Sequence, residues 1–233
     1  SEYGLFDRKN NKLIAGKTEE EIYKKIGLGY IEPEMREADG EIEASQLGSL
    51  PKVIGYGDIK GDLQIHTRWS DGSNTVEEMA LAAKKLGHEY ICITDHTGRL
   101  AIANPLDEKR ILKQKKEIEK INKKIKGITV LHGTEVNITE DGSLDMNDRI
   151  LKQLDIVVGA IHSGFKDSKE KITNRMIKAM QNENVDIIAH PTGRLITKRE
   201  PYEIDLDKIF DVAKSTGTAM EINSYPERMD LKD

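Results

Sequence analysis

Residues 61–96 read GDLQIHTRWSDGSNTVEEMALAAKKLGHEYICITDH, and the order of patterns within them decides the fold class. Asp62–His66 is a short strand-like run that ends on a histidine. Thr75 and Glu78 have the spacing of a capping box, and Val76, Met79, Ala80, Ala83 and Leu86 recur along one face of the helix that follows, which Gly87 stops. Tyr90–Thr94 is a second apolar run, followed at once by Asp95-His96. A strand, a helix and another strand in this order form a parallel βα unit, because parallel neighbours require a crossover rather than a tight turn.

The alternation continues downstream. Further strands are predicted at Ile128–His132, Ile156–Ile161, Val185–Ala189 and Thr218–Ile222, with helices over about 107–125, 168–182 and 205–215. The class is therefore α/β, either a barrel or an open doubly wound sheet. Residues 1–57 differ. Short apolar pieces (Tyr3–Phe6, Lys12–Ile14) are separated by glycines and Asn10-Asn11, one helix is expected over about 19–26 behind a Thr18/Glu21 capping pair, and Glu32 to Glu43 reads as a loop-rich link. This small α+β segment is set apart from the region 58–233.

The chain has 233 residues, 37% of them hydrophobic and 33% charged, enough to bury one large domain or a medium domain with an appendage. The longest uncharged apolar stretch, Ile156–Ile161, is far shorter than the ~20 residues of a membrane helix. No charged-then-apolar signal segment opens the chain, so a soluble, cytoplasmic protein without a membrane partner is expected. A net charge of −5 argues against nucleic-acid binding by the whole surface and leaves room for a local basic patch. Nine basic residues between Lys109 and Lys126 are open to two readings, a solvated outer helix face or a stripe that tracks DNA. The single cysteine, Cys92, lies between Ile91 and Ile93 and is expected to be a buried small hydrophobe; a lone cysteine excludes an internal disulfide and any Cys-based zinc cluster.

The chemistry is carried by histidines. Five of the six (His66, His96, His132, His162 and His190) fall at or just after the end of a predicted strand, the edge where parallel α/β folds build their sites. Asp71, Asp95 and Glu135 share that edge, whereas His88 follows Gly87 in a surface turn. Imidazoles and carboxylates without thiolate or Gly-rich phosphate loop suit a multinuclear site for Zn²⁺, Mn²⁺ or Fe²⁺ that activates water.

Five segments in order resemble the motifs of the polymerase and histidinol phosphatase (PHP) family: Gly61–Gly72, Ile93–His96, Gly133–Glu135, Ala160–Ser163 and Ala189–Arg194. The resemblance implies a distorted barrel of about seven βα units with up to three divalent metals. It is closest to the PHP domain of bacterial and archaeal family X DNA polymerases, through His190–Arg194, Arg199-Glu200-Pro201-Tyr202 and Glu221-Ile222-Asn223 through Leu231. Residues 1–50 resemble the end of that polymerase's core. The implied ligands are His66 and Glu135 with Gln64 nearby, then Glu135, His162 and His190, then Asp71 and His96. Gln64 stands where the wider family has the first His of a His-x-His pair. A further strand and a Gly-x-Asp-x-His motif with two more ligands would follow a segment like Arg228–Asp233, so the barrel is expected to lack its last part and the chain to be a weak nuclease.

Catalytic roles are implied for Glu135, His162 and Arg194. Arg194 and Arg99 suit contact with phosphodiester oxygens, Arg194 alternatively fixing its loop, and Trp69 could stack on a base or cover the metals. Asp95 is expected either to orient a ligand imidazole or to cap its strand end, and His132, which matches no ligand position, to be structural. The implied function is a metal-dependent 3′–5′ exonuclease on DNA single strands or 3′ ends, working in DNA repair beside an upstream polymerase core. The alternatives are a small-molecule phosphatase of the histidinol-phosphatase type and a non-catalytic module that positions DNA.

Overall fold

A computed structural model describes residues 1–98 and 103–231, which fall into two units divided between Ile59 and Lys60. The first unit holds an antiparallel ribbon, β1 (Leu5–Phe6) with β2 (Leu13–Ala15), and two short helices, α1 (Glu19–Lys25) and α2 (Glu41–Leu47). Thr18 caps α1 by accepting from Glu21 N, but the Glu21 carboxylate turns to Gly16 N and Lys17 N instead of closing the expected box. Helix α2 lies across the end of the region expected to be a link. Left-handed glycines, Gly40 and Gly48, bound it, and its acidic sequence hides the helix from an apolar-periodicity reading.

The second unit runs β3 (Gly61–Ile65), α3 (Val76–Lys85), β4 (Tyr90–Ile93), α4 (Glu108–Lys124), β5 (Thr129–Asn137), α5 (Asp148–Leu151), β6 (Ile156–Ala160), α6 (Lys169–Met180), β7 (Ile187–Ile188), α7 (Leu206–Thr216) and β8 (Ala219–Met220). Each of these helices starts on a side-chain cap, in turn Thr75, Asp107, Asn147, Ser168 and Asp205. Each cap accepts from one of the first amides, which have no intrahelical acceptor, and that is why the helix starts are legible locally.

The six strands are all parallel and pair in chain order, each adding to the same edge. A doubly wound sheet would reverse its order at a switch point, so this order selects the curled, barrel-type sheet. Strand β5 carries the curl. Its first half pairs with β4, up to Ile93↔His132, and its second half pairs with β6, from Gly133↔Ile156 to Asn137↔Ala160. Gly133 sits at the handover, where an added Cβ would lie 2.6 Å from Cys92 Sγ and 2.7 Å from the Ile156 carbonyl. Burial pushes the Cys92 thiol pKa well up, as befits a small core residue.

The length of β5 corrects one expectation. His132 does not end the strand; it lies inside it, and Glu135 lies on the strand rather than after it. The core fills the space between sheet and helices, with Ile65, Ile91, Ile93, Val130, Ile118 and Ile121 on one side and Ile138, Ile161, Ile172, Met176, Ile188 and Ile209 on the other. On α4 the apolar positions Ile111, Ile118 and Ile121 are buried while Lys113, Lys116, Lys120 and Lys123 are exposed, so the basic stripe lies on the face away from the core, as both readings of it require. No helix among the described residues is long and apolar enough to cross a membrane.

Candidate metal centre

The successive strands β3 to β7 bring their ends to one point, and Glu135 occupies it. Its side chain is only 2% exposed. Oε1 lies 3.0 Å from His162 Nε2 and 3.2 Å from His190 Nε2, while Oε2 lies 3.1 Å from His66 Nε2 and 3.8 Å from His96 Nδ1. Gln64 Nε2 donates to Oε2 at 2.8 Å. Burial by itself would raise the Glu135 pKa, but hydrogen bonds from His162, His190 and His66 outweigh it and hold the carboxyl well below the usual range. The reciprocal effect raises His66 against its own burial, through Glu135 and then Asp71. His96 is lowered, because its burial exceeds the pull of Glu135.

Asp71 stands half-exposed at the rim, 3.6 Å from His66 Nδ1 and 3.7 Å from His96 Nε2. Neighbouring imidazoles pack ring to ring, with centroids 4.5 Å apart for His66 and His96, 5.3 Å for His96 and His162, and 5.5 Å for His162 and His190. These residues line a cavity of about 350 Å³.

The donor set fits divalent cations. Nδ1 of His66, His96, His162 and His190 and Oε1 of Gln64 are buried without a hydrogen-bond partner, a costly state that a cation would relieve. Two groups of three have one donor atom per residue, all within 4.8 Å of one another: His66, Asp71 and His96, and His96, Glu135 and His162. His96 is thus shared between groups, a different partition from the one the resemblance implies, and His190 approaches through Glu135.

Backbone and loops are fixed to serve this arrangement. Asp95, 1% exposed, accepts from Thr67 N and Oγ1 at 2.6 Å each, from Ser70 Oγ at 2.6 Å and from Gln114 Nε2 at 2.6 Å. It therefore bonds none of the imidazoles around Glu135. It ties down the loop between His66 and Asp71. His190 has a left-handed φ of 31°, uncommon for a residue with a Cβ, and its N–H donates to Glu221 Oε2 at 2.6 Å, which holds the ring toward Glu135.

His132 has the structural place expected of it, whereas Trp69 and Arg194 stand apart from the cavity. His132 is an odd number of positions from Glu135 along one strand and so points to the opposite face, where its Nε2 meets Gln114 Oε1 at 3.1 Å beneath α4. Trp69 does not line the cavity. Its half-buried indole packs against the core and donates to Glu117 Oε2 at 2.8 Å. Arg194 does not line it either, since its Nε donates to the Arg228 carbonyl at 2.7 Å and so fixes the loop. Arg99 lies outside the described residues. The arginines that do line the cavity, Arg199 and Arg228, stand in stretches that carry the resemblance but have no strand-end position to mark them.

A family model described as the PHP domain matches residues 62–225. The chain belongs to the PHP family. Residues 1–37 match the DNA polymerase beta thumb, ahead of the PHP region. Among curated relatives, the DNA polymerase/3′-5′ exonuclease PolX of Bacillus subtilis (strain 168) is 42% identical over 100% of this chain, which spans 40% of that protein. A probable phosphatase of Thermoanaerobacter sp. (strain X514) is 38% identical over 70% of the chain and 64% of its own length. The PHP fold is shared with the histidinol phosphate phosphatase of Lactococcus lactis, solved with zinc, L-histidinol and phosphate, at TM-score 0.50 and 17% identity over 70% of this chain and 73% of that one.

Proposed function

We propose that the chain is the metal-dependent phosphoesterase module of a family X DNA polymerase, removing nucleotides from DNA 3′ ends, with residues 1–57 as the end of the polymerase core and its link and 58–233 as the phosphoesterase domain. The observation that carries the chemistry is the buried Glu135 carboxylate, on which His66, His96, His162 and His190 converge. Similarity to PolX along the whole of this chain, which spans 40% of that protein, and the thumb match ahead of the PHP region favour DNA as substrate, the polymerase core as partner and a cytoplasmic location.

His66, Asp71, His96, Glu135, His162 and His190, with Gln64, would hold up to three divalent cations, Zn²⁺, Mn²⁺ or Fe²⁺. Such ions supply a water of lowered pKa and a clamp on the attacking and leaving oxygens of a phosphoryl displacement. The chain's own part is organisation. Glu135 stays anionic at neutral pH because its histidine partners hold its pKa down. Asp95 keeps Asp71 at the rim through the Thr67–Ser70 loop, and Glu221 keeps His190 in its left-handed conformation. His162 Nε2, on Glu135 Oε1, fixes which ring nitrogen faces the carboxylate and leaves Nδ1 free as a donor atom.

A second reading, a phosphatase acting on small phosphomonoesters, is favoured by the relative named a probable phosphatase. Elemental analysis of the purified chain, combined with rates on 3′-labelled single-stranded DNA and on a small phosphomonoester in Mn²⁺, separates the possibilities. Two or three metal equivalents with nucleotide release support the proposal. Phosphomonoester hydrolysis alone selects the second reading, and absence of metal and of both activities leaves a DNA-positioning module.

A further inference from the structure

Two arginines share the cavity with the six metal-site side chains, and among the described residues no carboxylate forms an ion pair with either. Arg199 and Arg228 both line it, together with Phe165 and Leu195. Among the described residues neither forms an ion pair with a carboxylate, while the nearby Lys198 is already paired with Glu227 at 2.6 Å. The acidic groups of the cavity do not serve them, since Glu135 is taken by histidines and Asp71 faces His66 and His96.

Each guanidinium is nevertheless held in place. The Arg199 Cζ lies 3.9 Å from the centre of the Phe165 ring, and its Nε donates to the Gly193 carbonyl at 2.7 Å, while neither Nη group is hydrogen-bonded among the described residues. Arg228 Nη1 is buried with no partner. The loop behind them is rigidly built. Gly193 has φ +64°, and a Cβ there would come within 2.5 Å of Tyr202 Cε1, so only glycine lets the loop close on the buried Tyr202. The Thr192 amide, one residue earlier, is anchored on the buried Asp230 at 3.1 Å. Burial and then the charge of Arg228 push the Arg199 pKa down against the weaker opposing pull of Tyr202 and Asp230, which places the two cations within each other's field.

Partly buried cations with open donors and no directly paired carboxylate are costly unless an anion completes them. The planar edge left on a guanidinium whose Nε is occupied matches two oxygens of a phosphate better than any single carbonyl. We propose that Arg199 and Arg228 form the grip for the phosphate of the substrate, Arg199 stacked on Phe165 and presenting its Nη edge, Arg228 offering Nη1 from the cavity wall. The inference rests on the phosphoesterase reading of the same cavity and adds the residues that seize the phosphate. Its ligand chemistry is a phosphate ester, supplied either by a nucleotide or by a small phosphomonoester.

The test uses the whole chain loaded with Mn²⁺ and titrated calorimetrically with thymidine 5′-monophosphate, and separately with inorganic phosphate. Arg199→Gln and Arg228→Gln are each expected to weaken binding of the nucleotide about ten-fold or more, with metal content and thermal midpoint unchanged, whereas Lys198→Gln stays within about two-fold. Wild-type affinity in either arginine variant overturns the grip, and so does a wild-type chain that binds neither probe. Arginine-dependent binding in a chain that hydrolyses no phosphoester leaves the grip standing and refutes the phosphoesterase reading. Hydrolysis with unchanged KM in both arginine variants does the reverse. Tighter arginine-dependent binding of the nucleotide than of phosphate assigns the ester to a nucleotide, and equal binding assigns it to a free phosphomonoester.

Discussion

His132 is expected to make the stability of the protein fall on mild acidification, and replacing it removes that sensitivity. The imidazole is 3% exposed, its backbone N–H donates to Asp155 Oδ2 at 2.8 Å, and its Nε2 meets Gln114 Oε1 at 3.1 Å, so the ring is a neutral Nε2–H donor. Burial, then the charge of Lys115, lowers its pKa from the ordinary 6.5 to about 4. Above pH 6.5 the residue is neutral whether the chain is folded or not, and it contributes nothing to the pH dependence. Below that value the unfolded chain binds a proton that the folded chain refuses until about pH 4, so stability is lost as the pH falls. At pH 5 the gap is about 1.5 pH units, or about 2 kcal/mol at 1.36 kcal/mol per unit. The assay is urea unfolding of the wild type and of His132→Gln at pH 7 and pH 5. Other groups, His66 among them, titrate in both proteins and cancel in the difference. The wild type is expected to lose about 2 kcal/mol relative to the variant between the two pH values. NMR of the wild type should show the His132 ring still neutral at pH 5. A pH-independent difference, or a ring that titrates near 6.5, would falsify the burial argument.

The other expectations concern the site and its support. Glu135→Ala should lose bound metal in elemental analysis and lose hydrolysis with it, because it removes the group on which four histidines converge, while His132→Gln keeps its metal; equal loss in the two would show that the face assignment is wrong. Asp95→Ala leaves the buried donors of Thr67, Ser70 and Gln114 without an acceptor, so chemical denaturation should reveal a loss of about 3 kcal/mol or more, and a loss under about 1 kcal/mol would mean that water replaces the carboxylate. Thr75→Ala removes a reciprocal cap on α3 and should cost about 1 kcal/mol with metal content unchanged, a control that separates general destabilisation from damage to the site.

Most of the βα alternation was legible in the sequence because its signals are local. Thr75, Asp107, Ser168 and Asp205 stand where the helices begin, and Gly87 and Gly217 adopt the left-handed conformation where α3 and α7 end. The gathering of His66, His96, His162 and His190 could be anticipated for a related reason, since each follows or ends an apolar run and a parallel sheet puts all such ends on one edge. Tertiary structure decided what periodicity cannot. Gly133 made the third strand look finished at His132, yet the ladder continues to Asn137 because β6 supplies new partners after β4 has ended, and that register sends His132 to α4 and Glu135 to the cavity. Pairing in chain order, rather than reversal at a switch point, was likewise a matter of which edges met. The roles of Asp95, Trp69 and Arg194 depend on partners between 19 and 48 residues away, and the placing of Arg199 depends on a Phe165 ring that reaches it only once β6 and β7 are side by side. A side chain's type and spacing tell what it can bond; only the folded backbone brings one acceptor within reach and turns the others away.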